Sequence, residues 1–155
     1  MADFEEGVVR KAIVTKWLAE STLSGISGPF NTVKHDSQAN AFPYCVLQIP
    51  EFRDDGWTCE NRRWIATVVF EIRDHNDVDA YTAANAVCAV FGVDPLTLTM
   101  DSGRLYQSRP VGGIGRSDSG RLYQSRPVGG VGRSEDDSVH CLTVTYRMRF
   151  EFPRS

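Results

Sequence analysis

At 155 residues, with 41% hydrophobic and 24% charged residues, the chain has the size and balance of one globular domain. That length buries roughly two-thirds of the unfolded surface. A formal charge of −3 argues against a wholly basic nucleic-acid binder. No apolar run approaches the ~18 residues of a membrane span, and the N-terminal stretch lacks a signal-peptide core. The expectation is therefore a protein made in the cytoplasm, with no membrane partner.

In chain order, Asp3 and Glu6 form a capping-box signature ahead of an amphipathic helix over 4–21. Val8, Val9, Ala12, Ile13 and Trp17 supply its apolar side. The stretch 24–41 is rich in Ser, Gly and Asn and reads as a surface connection. Residues 42–52 predict a first strand bracketed by Pro43 and Pro50, with Cys45, Leu47 and Ile49 alternating against Tyr44, Val46 and Gln48. Asp54, Asp55 and Gly56 are the expected turn.

The second strand has the clearest core face so far, because Trp64, Ala66, Val68, Phe70 and Ile72 all project to one side. Asn76 then caps a helix whose expected apolar stripe is Tyr81, Ala84, Cys88 and Phe91, stopped by a left-handed Gly92. A third strand is predicted over 95–100, from Leu96, Leu98 and Met100. The closing strand over 140–152 places Leu142, Val144, Tyr146, Met148, Phe150 and Phe152 on one face. Cys141, Thr143, Thr145, Arg147, Arg149 and Glu151 occupy the other. The expected fold is α+β: a mainly antiparallel four-stranded sheet with two helices packed on one face. The opposite face is left to water or a partner.

Between the last two predicted strands lies a tandem duplication, DSGRLYQSRPVGGIGRS over 101–117 and DSGRLYQSRPVGGVGRS over 118–134. The copies differ only at Ile114 and Val131. Two units are too few for a solenoid. Each copy contains one possible short strand, RLYQS, and the pair reads as an inserted loop or long hairpin arm on a single domain spanning 1–155. Its six arginines, Arg104, Arg109, Arg116, Arg121, Arg126 and Arg133, against two aspartates give +4, leaving −7 on the rest of the chain. Such an arm is the candidate contact for DNA phosphates or an acidic protein surface. As a bare surface insertion it would cost little, since loop-closure entropy grows slowly with length. The glycine run lacks the GK[ST] ending of a phosphate loop.

No constellation for catalysis emerges. His35, His75 and His140 are scattered, and His140 and Cys141 point to opposite faces of one strand. No GxSxG elbow or CxxC pair occurs. Cys45, Cys59, Cys88 and Cys141 are expected to be reduced and mostly buried. The acidic pairs Asp54–Asp55 and Asp136–Asp137 sit in turn-like stretches, and Asp77 and Asp79 suit a helix N-terminus. The expectation is a protein that is not an enzyme, with no cofactor and no metal.

The wording "PYCVLQ", "ATVVFEIRDHND", "AYTAANAVCAVF", "LTL" and "HCLTVTYRMRFEF", in that order, resembles the tail terminator (tail completion) proteins of long-tailed bacteriophages. The resemblance implies a small α+β virion protein, located at the neck, that forms a homo-hexameric ring on top of the tail tube. Its partners would be the tail tube protein and the head-tail connector or stopper protein, with genomic DNA passing through the lumen. The ring would end tube polymerisation and offer a surface for head attachment. Another neck component, such as a head-tail joining or minor tail protein, is the near alternative. A nucleic-acid-binding α+β module using the arginine arm is the more distant one. The duplication is a departure from the family pattern.

Overall fold

A computed structural model describes residues 2–31, 43–116 and 140–153. The elements are α1 (Ala2–Ala19), β1 (Ser27–Phe30), β2 (Tyr44–Trp57), β3 (Asn61–Asp74), α2 (Asp77–Phe91), β4 (Arg104–Pro110), β5 (Gly115–Arg116) and β6 (His140–Pro153), with a 3₁₀ turn at Ser21–Leu23. The sheet runs β1-β2-β3-β6-β4, and β5 follows β4 along the same edge of β6. All pairings are antiparallel except β1 with β2. The α+β class holds, but among the described residues the sheet has six strands rather than four and is mixed.

Both helices cover one face. Val8, Val9, Ala12, Ile13 and Trp17 of α1 meet the predicted core face of β3 and β6, every residue of which is buried. Phe70 is fully buried at the centre, with ring centroids 5.9 Å from Trp17, 4.7 Å from Phe91 and 6.3 Å from Tyr146. One side chain thus joins the sheet to both helices.

Several boundaries differ from the sequence reading. α1 already includes Asp3, so the expected capping position lies inside the helix. The first strand continues past Phe52 to Trp57, and Asp54-Asp55-Gly56 builds a bulge rather than the turn. There Asp54 Oδ1 accepts the Gly56 N–H at 2.8 Å, and Gly56 takes φ 110°. The reversal falls at 58–60, closed by Thr58 N–H on the Asn61 carbonyl at 2.8 Å and Asn61 N–H on the Thr58 hydroxyl at 2.9 Å.

Part of the presumed surface connection is β1, a four-residue strand beside Tyr44 and Val46. Gly28 permits this approach: its φ is 110°, and a Cβ there would stand 2.7 Å from the Cys45 carbonyl oxygen.

Asn76 caps α2 as predicted, its Oδ1 accepting the N–H groups of Val78 (2.8 Å) and Asp79 (3.1 Å). The buried stripe is displaced from the expected one, however. It comprises Ala80, Ala83, Ala84, Val87, Val90 and Phe91, while Tyr81 is exposed and Cys88 half-buried. Beyond Asp79 the helix carries no charge, so its periodicity fixes the spacing but not the phase. The alanines face the sheet, where they permit close approach. Gly92 ends the helix at φ −89°, not in the left-handed region. Glycine is required for space, because a Cβ would lie 2.5 Å from the Cys88 carbonyl oxygen and 3.3 Å from the Tyr146 hydroxyl.

The predicted third strand over 95–100 does not pair with the sheet; Leu96 and Leu98 are buried as core-lining residues of an irregular segment. Their alternation reported burial alone. The edge of β6 is taken instead by β4, RLYQSRP of the first repeat. The first copy is therefore part of the sheet, and the second copy lies outside the described residues. Among the described residues, no helix is long and apolar enough to cross a membrane.

Candidate interface on the uncovered sheet face

The alternation that sends apolar side chains toward the helices sends charged ones to the other face, where no described helix packs. Register arranges them in rows across the sheet. Glu51, Thr67, Arg147 and Arg109 form one, and Arg53, Ile65, Arg149 and Gln107 the next. Gly56, Arg63, Glu151 and Arg104 form the third. These rows carry six guanidinium groups and the carboxylates of Glu51 and Glu151, with Asp55 beside Arg149.

Glu151 organises the third row. It is 6% exposed and binds Arg63 at 3.0 Å and Arg104 at 2.6 Å. Both guanidinium groups also lie over the Tyr106 ring, at 5.2 Å and 5.8 Å from its centroid. Arg149 pairs with Asp55. Glu51 accepts the Thr67 hydroxyl and an Arg53 N–H, both at 3.0 Å. The Thr67 hydrogen bond, then that of Arg53, hold its carboxyl below the usual range.

Arg109 and Arg147 are different. They stand directly opposite each other, both exposed, and among the described residues neither meets a carboxylate within ion-pair distance. Like charges in opposed positions repel. With Gln107, Arg149, Pro110 and Val111 they line an open recess of about 450 Å³. Guanidinium groups so placed fit the oxygens of a carboxylate or phosphate. We predict that Arg147→Ala leaves the urea-unfolding free energy within about 0.5 kcal/mol of the parent, because relief of repulsion from Arg109 offsets the lost stem packing and the weak, solvent-screened attraction to Glu51.

Of the six arginines singled out in the sequence, the structure brings Arg104 and Arg109 into this face. Arg116 lies in β5, farther along the β6 edge. Arg121, Arg126 and Arg133 lie outside the described residues. Arg147, Arg149 and Glu151 were readable as the polar side of the closing strand. Arg53 and Arg63 were not singled out, although Arg63 shares the parity of Ile65 and Thr67. His75 is exposed in the β3–α2 link, and His140 lies 3.5 Å from Asp77. None of the four cysteines is in a disulfide: Cys45 and Cys141 are buried, Cys88 is half-buried and Cys59 is exposed.

The β2–β3 hairpin end adds an aromatic feature. Arg62 sits over both Trp57 (5.1 Å) and Trp64 (4.9 Å), and Phe52 stacks on Trp64 at 5.0 Å. Asp54 holds the same guanidinium at 2.9 Å. The Gly56 N–H, then Arg62, keep the Asp54 carboxyl below its ordinary range. A depressed carboxyl stabilises the fold above its unfolded pKa and loses that contribution as pH falls through the folded one. Asp54→Asn should therefore lower the urea midpoint near neutral pH, and the difference from the parent should shrink below about pH 4. A constant difference across that range would contradict it.

The molecule is thus an α+β domain with one helix-covered face and one cationic face exposed beside an edge strand. The chain matches no protein-family model and no curated protein sequence. In fold it is similar to a chain of a structure described as the virion of a native gene transfer agent (GTA) particle. That likeness has a TM-score of 0.59 at 15% identity, covering 94% of this chain and 96% of the other. Agreement over nearly the full length of both chains places the whole domain in one shared fold.

Proposed function

We propose that this protein is a non-catalytic virion component of a long-tailed phage or phage-like particle. In this reading it caps the head-proximal end of the tail tube as a ring, ends tube polymerisation and presents a surface for head attachment. The observation that carries the reading is the full-length fold likeness to a chain of a gene transfer agent virion. The resemblance of the strand and helix wording to tail terminator proteins supports a place at the tail top. Its partners are copies of itself, a tube protein below and a connector protein above. Another neck component of the same fold is the alternative that the fold likeness equally accommodates.

The cationic face supports a protein-contacting role. A ring would repeat the Arg109–Arg147 recess around its circumference, suiting carboxylates on an adjoining ring. Lining a DNA passage with it would hold DNA rather than let it slide. In a pull-down with the tail tube and connector proteins of the same particle, Arg109→Glu/Arg147→Glu should abolish capture of one of them while the melting temperature stays near that of the parent. Undiminished capture of both would remove this face from the assembly. Tight binding of duplex DNA that collapses steeply with salt would favour the nucleic-acid reading instead.

A further inference from the structure

We propose that the two copies of the duplicated segment are interchangeable occupants of the β6 edge. The copy beginning at Asp118 can dock where β4 and β5 lie, releasing the copy that begins at Asp101. This inference stands apart from the proposed virion role and rests on the geometry of the docked copy.

Each contact that holds the first copy has its equivalent in the second. Gly103 takes φ 74°, and a Cβ there would lie 2.5 Å from the Glu151 carbonyl oxygen, so the position demands glycine; the second copy supplies Gly120. Arg104, which binds Glu151 at 2.6 Å, is matched by Arg121. Leu105, opposite Phe150 and packed against the core, is matched by Leu122. Asp101, 2.7 Å from Lys11, is matched by Asp118. The single difference replaces partly buried Ile114 with Val131, a loss of one methylene.

Chain connectivity favours neither arrangement strongly. As described, α2 reaches β4 through 92–103, and β5 reaches β6 through 117–139. After exchange the first connection would be 92–120 and the second only 134–139. The latter is close to an ordinary hairpin link, whereas the former is longer than the 92–103 connection it replaces. Lengthening one loop and shortening the other leaves the closure terms within about twofold of each other. Leu96 and Leu98 precede the exchanged segment, so their packing survives in both registers.

The test uses the full chain with Leu105→Asp, Leu122→Asp and the double substitution, followed by thermal unfolding and light-scattering mass. With exchange, each single variant keeps the mass of the parent and melts within a few degrees of it, and the double variant melts far lower. A large loss from Leu105→Asp alone, with none from Leu122→Asp, would show that only the first copy docks and would overturn the proposal. So would a Leu105→Asp protein that folds only as an assembly larger than the parent, or a double variant as stable as the parent. Gly103→Val and Gly120→Val provide an independent pair with the same expected pattern, because valine at that φ blocks docking sterically rather than electrostatically.

Discussion

Tyr146→Asp should all but abolish folding, lowering stability by about 4–5 kcal/mol or more out of a typical total of ~5–15. Tyr146 is 2% exposed on β6, its ring edge-on to Phe70 and its hydroxyl close against Cys88 and the Gly92 backbone. Burial, the largest cause, and then Cys88 push the phenol above its ordinary range, so a charge is disfavoured at this position. An aspartate there must stay ionised in an apolar setting or be protonated at a cost, and it leaves the volume of an aromatic ring unfilled. Chemical denaturation measures the loss. A midpoint near that of the parent would mean that this face of β6 is not the core.

Phe70→Ala should cost about 3–5 kcal/mol, the range for deleting a buried aromatic ring. The position is fully buried, and the ring contacts Trp17 from α1, Phe91 from α2 and Tyr146 from β6. Each aromatic pair adds ~0.5–1.5 kcal/mol beyond area burial. Because one side chain links both helices to the sheet, relaxation at one contact opens another. At this chain length the loss corresponds to a drop in melting temperature of roughly 10 °C. A drop of only a few degrees would show that the helices dock independently of this ring.

Both predictions fall on strands whose faces were legible in the sequence, for a specific reason. β3 and β6 are central, so a strict period of two separates a helix-covered apolar face from a more polar one over their whole length. Phase and pairing were less legible. α2 is uncharged beyond Asp79, and only packing against the sheet selects Ala80 over Tyr81 as an inward position. In 95–100 the leucines alternate because they bury, yet the hydrogen-bonding edge went to a segment with exposed arginines and a terminal proline, as edge strands tolerate. β1 is four residues long and contains Gly28 and Pro29, so it carries no periodic signal.

The interface was legible residue by residue but not as a surface. Arg104 and Arg109 stood out through the duplication, and Arg147 and Arg149 through strand alternation. Only the antiparallel register of β4 on β6 sets Arg109 against Arg147 and Arg104 against Glu151. Arg53 reaches the same face because the bulge between Gln48 and Glu51 reverses the parity of β2. No reading of a single strand contains that information.

The most direct test of the proposed role is electron microscopy of lysates from a particle lacking this gene. The account predicts filled heads beside detached tails of abnormal, uncontrolled length, restored to normal by the gene supplied in trans. Intact particles would contradict a structural role at the neck, and detached tails of normal length would contradict tube termination.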